Sequence, residues 1–452
     1  MKPSLITLAT AFLLGATALL AKPATPSAVN LRLEMDRTVL PAGTTEKAII
    51  KVSLDGVRVA TTALRPPVNL TLVLDRSGSM NGDKIVQAKA AAIEVLRRLS
   101  AEDLFSLVAY DSEVETLISA QRVGDGRVIE ERIRSIRASG GTALFGGVTQ
   151  GASELRKHAE DRRYINRLVL LSDGQANEGP SSPEELGRLG TALMKEGISV
   201  TTIGLGLGFN EDLMTRLAQK SDGNTYFVEA SQDLARIFNA ELGDVLNVVA
   251  RQLVVTVEFP EGVRPLALVG RDGVIDGQKA QITLNQLYGG QEKFALIEVE
   301  VAPVKAGNKR DVARARLTFD DLGTKLRESK EAVAEVRFSE DQTVVIASAN
   351  AKVQTDYALN RIAVAKDRAV ALVDAGRRTE AAAVLRTSAL ELNSLGNTYF
   401  NSSVIAVSAA NSMEADRLEK DGLSNVGRKT YRAENTQTMN QQSQSSSGSG
   451  SR

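Results

Sequence analysis

A short segment near residue 75 has the residue types and spacing of a metal-binding loop. Residues 68–80 read VNLTLVLDRSGSM, an apolar run that stops at Asp75 and continues into a loop of small residues. Asp75, Ser77 and Ser79 occupy alternate positions, so one carboxylate and two hydroxyls can converge on one side of the loop. Hard cations such as Mg²⁺ prefer such oxygen donors. The motif alone is weak, because the same residues are common in turns and at helix N-termini.

Two later loops supply further oxygen donors. Thr142 follows the sequence ASGG, which itself follows a predicted helix over residues 127–136. Asp173 precedes Gly174 at the end of a predicted buried strand over residues 166–171. Ligands of parallel sheets bind beyond the carboxyl ends of the strands. These two loops shift the balance from an ordinary turn toward a metal site.

Taken in order, the three loops resemble the metal-ion-dependent adhesion site of von Willebrand factor type A (VWA) domains. The resemblance covers roughly residues 68–249. It implies that Ser77, Ser79 and Thr142 bind the metal directly through their hydroxyls. It also implies that Asp75 and Asp173 act largely through bound water or from beside the ion. Because neutral hydroxyls compensate the cation poorly, an Asp or Glu carboxylate of a partner protein would be strongly attracted to it.

The surrounding sequence predicts the elements that must position these loops. Strand and helix patterns alternate through the resembling region, which predicts an α/β fold with a doubly wound, mostly parallel sheet. Short β patterns before this region and a longer β-rich stretch after it predict one β-sandwich into which the α/β domain is inserted. This arrangement resembles inter-alpha-trypsin-inhibitor heavy chains. Alanine-rich sequence after residue 339 predicts a small helical region.

These patterns divide the chain into six parts. They are a signal peptide (1–21), amino-terminal sandwich strands (22–66), the VWA-like domain (67–249), the remainder of the sandwich (250–342), a helical region (343–432) and a disordered tail (433–452). The tail prediction rests on a composition rich in Gln, Ser and Gly with few apolar residues.

The amino terminus predicts export. An uncharged apolar run follows Lys2 and ends among alanines, which is typical of a secretory signal peptide and favours it over an uncleaved membrane anchor. Zero cysteines exclude disulfides, thiol catalysis and cysteine-based zinc sites. Equal numbers of basic and acidic residues, 55 of each, imply no general affinity for nucleic acid. We expect a periplasmic or extracellular protein with no transmembrane segment in the mature chain.

Three other features invite a functional interpretation. The glycines at 204, 206 and 208 follow a strand, but their spacing differs from a dinucleotide-binding fingerprint and favours a structural turn. Asp111 and Ser112 end a strand near the expected metal face, where they either cap a turn or shape a partner surface. His158, the only histidine, lies among charges at a helix end and favours a solvated residue over a catalytic base.

The sequence therefore predicts a non-enzymatic protein that mediates metal-dependent adhesion or scaffolding in the cell envelope. Its cofactor would be a divalent cation, with Mg²⁺ favoured and Mn²⁺ or Ca²⁺ left open. Its partner would be a protein that presents Asp or Glu. Two alternatives remain: a structural protein of envelope assembly whose metal site is not adhesive, and a metal-assisted hydrolase.

Overall fold

A computed structural model describes residues 27–58 and 65–444. The predicted signal peptide lies outside these ranges. Within them the chain forms three six- or five-stranded sheets and a group of carboxyl-terminal helices. No helix in the described ranges is both long enough and apolar enough to cross a membrane.

The strands and helices follow one another in the order that the sequence pattern indicates. The strands are β1 (Val29–Met35), β2 (Val39–Pro41), β3 (Glu46–Gly56), β4 (Val68–Asp75), β5 (Leu104–Tyr110), β6 (Val114–Arg122), β7 (Ile165–Ser172), β8 (Ile198–Leu205), β9 (Thr225–Val228), β10 (Val248–Glu258), β11 (Val263–Val269), β12 (Val274–Asp276), β13 (Lys279–Tyr288), β14 (Gln291–Val301), β15 (Lys309–Asp321), β16 (Arg327–Ser339) and β17 (Gln442–Gln444). The helices are α1 (Asp83–Arg98), α2 (Arg127–Ser135), α3 (Leu144–Arg156), α4 (Pro183–Lys195), α5 (Glu211–Lys220), α6 (Leu234–Val245), α7 (Gln342–Ala347), α8 (Ala351–Asp374), α9 (Arg378–Thr398), α10 (Ser402–Asp421) and α11 (Asn425–Met439).

The α/β domain is built on a sheet with strand order β6-β5-β4-β7-β8-β9. All neighbours are parallel except β5 and β6. Every residue of β4 is buried, because α1, α2 and α6 cover one face of the sheet while α3, α4 and α5 cover the other. Leu72 and Leu74 point to the first face and Val73 to the second, as strand geometry requires. The predicted doubly wound α/β fold is confirmed.

The β-sandwich combines strands from both sides of the α/β domain. β3 pairs antiparallel with β14, and β2 pairs parallel with β16, so strands that precede the domain complete sheets formed after it. Buried side chains of both sheets, such as Val52 and Val255, share one core. Because neither group of strands could close this core alone, the predicted insertion of the α/β domain into a sandwich is confirmed.

The helical region follows the sandwich. Helices α8, α9 and α10 pack on one another, and Gly376 ends α8 in a left-handed backbone conformation with φ of 75°. The Asn350 and Asn401 side chains accept backbone N–H groups at the starts of α8 and α10. Helix α11 packs against α8 on one side and contacts α5 and β9 of the α/β domain on the other.

The prediction of a disordered tail from residue 433 is wrong for residues 433–444. Helix α11 continues to Met439 and β17 adds to the edge of the sandwich beside β14. Polar side chains hold this segment. Asn440 and Gln437 donate to the backbone oxygens of Gly223 and Thr225, at 3.0 and 3.1 Å. The polar composition suggested disorder, but it does not prevent ordering here. The side-chain amides form hydrogen bonds with backbone groups of another domain, and these bonds take the place of apolar contacts.

Helix α11 is also tied to α5 by charge. Lys429 is buried and donates to the backbone oxygen of Phe209 at 2.6 Å and to the carboxylate of Glu211. Its ammonium lies 4.2 Å from the centre of the Phe209 ring. Arg428 contacts the same glutamate and also Asp212. The carboxyl-terminal segment therefore holds the start of α5 in place.

Replacing Lys429 by Met should loosen this contact. Loss of charge-assisted hydrogen bonds costs about 2 kcal/mol of stability. We expect faster amide hydrogen exchange in α5 and α11 of Lys429→Met and a lower urea midpoint. Lys420→Met, which changes an exposed lysine of α10, is the matched control and should behave as wild type. Equal exchange in both variants would show that Lys429 does not hold the helix.

A buried polar network joins the α/β domain to the sandwich. Arg167 of β7 is fully buried and donates to Gln286 at 2.8 Å and to the Tyr288 hydroxyl, both on β13. Glu241 of α6 lies 3.5 Å from the same guanidinium. Nearby on α6, burial raises the pKa of Asp244 to about 6, and the charge of Glu241 adds to the effect. The interface between the α/β domain and the sandwich therefore depends on paired charges as well as on apolar packing.

The raised pKa of Asp244 predicts a pH dependence. An unfolded aspartate has a pKa of about 3.9, so the folded protein binds this proton more tightly. The free energy of unfolding should therefore fall as pH rises from about 4 to about 6. Asp244→Asn should be more stable than wild type at pH 7 and lose that advantage near pH 4, in urea unfolding measured across this range. Asp276→Asn, at an exposed position of β12, is the control, and an equal effect there would refute the assignment.

Candidate metal centre

The predicted donors meet at the carboxyl edge of the α/β sheet. β4 and β7 are neighbours in register, with Leu74 opposite Leu171. The strands therefore deliver Asp75 and the pair Ser172-Asp173 side by side. Thr142 lies in the loop that enters α3, whose residues pack against β4, β5 and β7.

Three of the side chains, those of Ser77, Ser79 and Asp173, contact one another directly. The Ser77 and Ser79 hydroxyl oxygens lie 2.9 Å apart, and the Ser79 hydroxyl donates to Asp173 Oδ1 at 2.7 Å. A Cβ added to Gly174 would lie 3.1 Å from Thr142 Oγ1 and 3.3 Å from Ser79 Oγ. The Thr142 and Ser79 hydroxyls thus lie on either side of Gly174, and a side chain at 174 would crowd both of them.

Asp75 organises the first loop from below. It is fully buried, and its Oδ1 accepts the N–H of Ser77 at 2.8 Å while its Oδ2 accepts the Ser172 hydroxyl at 2.6 Å. Burial raises the pKa of this carboxyl above its ordinary value, although both hydrogen bonds oppose the shift and the nearby Asp173 charge adds to it. An ionised Asp75 therefore benefits from a cation close by.

The Thr142 loop is held by two side chains, Asn177, which the sequence did not single out, and Ser112, which it did. Asn177 Oδ1 accepts the Thr142 N–H at 2.8 Å, and its own N–H donates to the Thr142 oxygen at 3.2 Å. Ser112 Oγ accepts the N–H of Gly141 at 2.7 Å. Asp111 accepts from Arg76 Nε at 3.0 Å. The Asp111-Ser112 pair therefore ties the first loop to the second.

Lys84 is the positive group of this edge. Its ammonium contacts Asp173 Oδ2 and lies 3.4 Å from the Ser79 backbone oxygen. About a third of its side chain is exposed, with a relative accessibility of 34%. Lys84 stands in the first turn of α1, directly after the metal loop, and that position is the signal from which it could have been predicted.

The other sequence features lie where packing explains them. Gly204 is covered by the ring of Phe209, and Gly208 lies against the Asp173 backbone oxygen, where a Cβ would come within 2.6 Å. The glycines of this turn therefore allow close packing beside the edge of the sheet that carries the candidate metal centre. His158 follows the far end of α3, about 20 Å along the helix from Thr142. His158 is therefore too far away to act as a general base at the candidate metal centre.

The donor set suits a small hard cation. Three hydroxyls and two carboxylates lie in adjoining loops at this edge, and Ser77 and Thr142 are buried while Ser79 is exposed. Mg²⁺ retains several waters and accepts a few protein oxygens in this way. When bound, such an ion would supply a positive, partly hydrated coordination position at the protein surface. Ser77, Ser79 and Thr142 would hold it.

The doubly wound sheet, with hydroxyl and carboxylate oxygens gathered at its carboxyl edge, is the arrangement of one class of α/β domain. Residues 69–240 match the family model of the von Willebrand factor type A domain, and the chain therefore carries a VWA domain. VWA domains commonly mediate metal-dependent protein–protein interaction.

Relatives support this assignment. An uncharacterized protein of Synechocystis sp. is 29% identical over 267 residues, which are 57% of this chain and 62% of that protein. Human inter-alpha-trypsin inhibitor heavy chain H3 is 26% identical over 270 residues, 56% of this chain and 28% of that protein. The chain thus spans less than two thirds of the length of each.

Solved structures show the same fold. A von Willebrand factor type A protein from Catenulispora acidiphila has a TM-score of 0.65 at 17% identity, over 87% of this chain and 97% of that one. The ArnB paralog VWA2 from Sulfolobus acidocaldarius has a TM-score of 0.60 at 16% identity, over 91% of this chain and 98% of that one. At these identities the likeness shows the fold alone.

Filling the space between the hydroxyls tests the centre. In Gly174→Ala the added methyl would press on Thr142 Oγ1 and Ser79 Oγ, so we expect Mg²⁺ affinity to fall by about tenfold or more, since this corresponds to about 1.4 kcal/mol. Isothermal titration calorimetry measures the change. Gly243→Ala, in open space on α6, is the control and should keep wild-type affinity. Unchanged affinity in Gly174→Ala would place the ion elsewhere.

Proposed function

We propose that the VWA domain holds a divalent cation on Ser77, Ser79 and Thr142 and uses it to bind an Asp or Glu carboxylate of a partner protein. The observation that carries this proposal is the convergence of three hydroxyls at an accessible edge, with Asp75 and Asp173 beside them. Neutral donors leave much of the cation's charge available, so a carboxylate oxygen is a favourable additional ligand.

Lys84 strengthens this attraction. With both carboxylates ionised, a divalent cation neutralises Asp75 and Asp173, and the ammonium of Lys84 leaves one positive charge in excess. A partner carboxylate would restore neutrality. The interaction is therefore electrostatically selective for an acidic side chain and should weaken as salt is raised.

The wider role that fits these features is adhesion or scaffolding in the cell envelope by an exported, non-enzymatic protein. The apolar amino-terminal run and the absence of cysteine support export. Hydroxyl-rich loops with few carboxylates favour Mg²⁺ over Mn²⁺ or Ca²⁺ as the resident ion. The distance of His158 from the site supports binding rather than hydrolysis.

Removal of one hydroxyl should abolish partner binding while the fold is kept. Thr142→Val preserves side-chain volume but deletes a direct metal ligand. We expect wild type to retain a partner from envelope extract in Mg²⁺ and to release it in chelator, whereas Thr142→Val retains none in either condition. Pull-down followed by mass spectrometry measures this.

Thr149→Val is the matched control, because that exposed hydroxyl of α3 donates only to the Phe145 backbone oxygen. It should retain the partner, and circular dichroism should match in all three proteins. A partner retained equally in chelator and by Thr142→Val would overturn the proposal and move the binding surface to the sandwich or the helical region.

A further inference from the structure

A second charged site lies at the opposite end of the α/β domain. A cavity of about 600 Å³ opens between that domain and the sandwich, next to Pro67 at the amino end of β4. β4 spans eight residues, so the cavity is about 25 Å from the metal centre. Six cationic side chains line it: Arg65, Arg162, Arg163, Arg251, Lys325 and Arg327.

Arg251 is the deepest of these and is poorly compensated. Its side chain is only 18% exposed, and its Nη1 donates to the Tyr164 backbone oxygen at 3.3 Å. Its buried Nε has no hydrogen-bond partner among the described residues, and the Asp320 carboxylate lies 3.8 Å away. Burial lowers the pKa of Arg251; Asp320 opposes this shift and the neighbouring Arg162 adds to it. The guanidinium therefore has a counter-charge at 3.8 Å but, within the described ranges, no carboxylate hydrogen-bonded to it.

The two carboxylates of the cavity are engaged elsewhere. Asp320 pairs with Arg327 at 2.8 Å. Both oxygens of Asp321 accept backbone N–H groups, from Ala28 on one side and from residues 323 and 324 on the other. Neither aspartate is free to pair closely with Arg251. The carboxylates that line the cavity therefore do not neutralise all of its positive charge.

Of the four remaining cationic side chains, two are paired with carboxylates of the described residues and two are not. Arg65 and Arg163 pair with Asp103 and Asp161 respectively. Arg162 and Lys325 have no carboxylate within ion-pair distance in the part of the chain that the structure describes. Three positive groups, from the α/β domain, β10 and the β15–β16 hairpin, thus face one space, and Arg251 alone among them has a carboxylate of the described chain nearby, at 3.8 Å.

The backbone around Arg251 is irregular. The pairing of β10 with β15 shifts register between Arg251 and Val254, and Gln252 adopts a left-handed conformation with φ of 51°. Such a bulge changes the direction of side chains and costs about 1 kcal/mol or more at a residue other than glycine. Here the bulge interrupts the regular pairing of β10 with β15 beside Arg251, which lines the cavity.

We propose that this cavity binds a small oxyanion carrying two or more negative charges, a class that includes polyphosphates and polycarboxylates. Guanidinium groups match the paired oxygens of both. The cavity volume lies within the range of small-ligand sites, about 300 to 1,000 Å³. The bound anion would supply a counter-charge to Arg162 and Lys325, and a closer one to Arg251 than Asp320 provides. Because both domains line the site, its occupancy would also stabilise their association.

Calorimetry with pyrophosphate and with citrate tests this proposal on the full chain. Both probes chelate metals, so the titrations are run in EDTA, which also separates the result from any behaviour of the metal centre. We expect one anion to bind per chain, with an affinity that falls as salt is raised. Preference for one probe would identify the phosphate or the carboxylate class.

Arg162→Gln and Arg251→Gln should each weaken binding by about tenfold or more, the equivalent of about 1.4 kcal/mol. Arg314→Gln makes the same change at an exposed position of β15 outside the cavity and should bind as wild type. Arg162 is exposed, so its replacement keeps the test valid even if Arg251→Gln fails to fold. No binding of either probe at millimolar concentration, or equal affinity in all variants, would overturn the proposal.

Discussion

The parallel pairing of β4 with β7 at the centre of the α/β sheet is the constraint on which the rest of this protein depends. Because the two strands pair in register, Asp75 lies next to Ser172 and Asp173. The strand pairing itself therefore brings the hydroxyl and carboxylate donors together. The pairing requires both strands to be buried on both faces, which demands helices above and below the sheet. The position of the candidate metal centre is thus a consequence of this strand pairing.

The α/β domain is held against the rest of the chain by buried polar contacts as well as by apolar packing. Arg167 is fully buried against Gln286 and Tyr288, and Lys429 is buried against Glu211. Such groups tolerate few alternative arrangements, because each donor needs its partner in a particular place. The domain is therefore held in one orientation by its amino-terminal edge and by α5, while the carboxyl edge with Ser79 stays accessible. A surface that must recognise a partner benefits from that rigidity.

Charge is distributed unevenly along β4. The carboxyl end carries the two aspartates of the metal centre with Lys84 as their counter-charge, whereas the amino end opens on a cavity lined by arginines. The two ends are far enough apart that salt screens one from the other. The two functions proposed for this domain, cation-dependent binding and anion binding, therefore lie at opposite ends of one strand.

Much of the fold could be predicted from local sequence. Continuous apolar runs indicated buried strands, and their alternation with helical patterns indicated the doubly wound sheet. The five candidate metal residues stand in short glycine-flanked loops directly after predicted elements, so the place of each in the sheet follows from sheet topology. The tail could not be predicted in this way. Residues 433–444 have a polar composition that suggests disorder, yet their amides pair with backbone groups that lie about 200 residues earlier, as Asn440 does with Gly223.

The sequence by itself determined the class of domain, its insertion between sandwich strands and the oxygen donors at its carboxyl edge. These depend on periodicity and on residues close together in the chain. Only the tertiary structure decided that Lys84 contacts Asp173, that Ser172 and Asn177 hold the loops, and that Arg162, Arg251 and Lys325 face one cavity. Side chains from distant segments meet only after the strands have paired and the domains have docked. Their joint electrostatics therefore cannot be read from local sequence patterns.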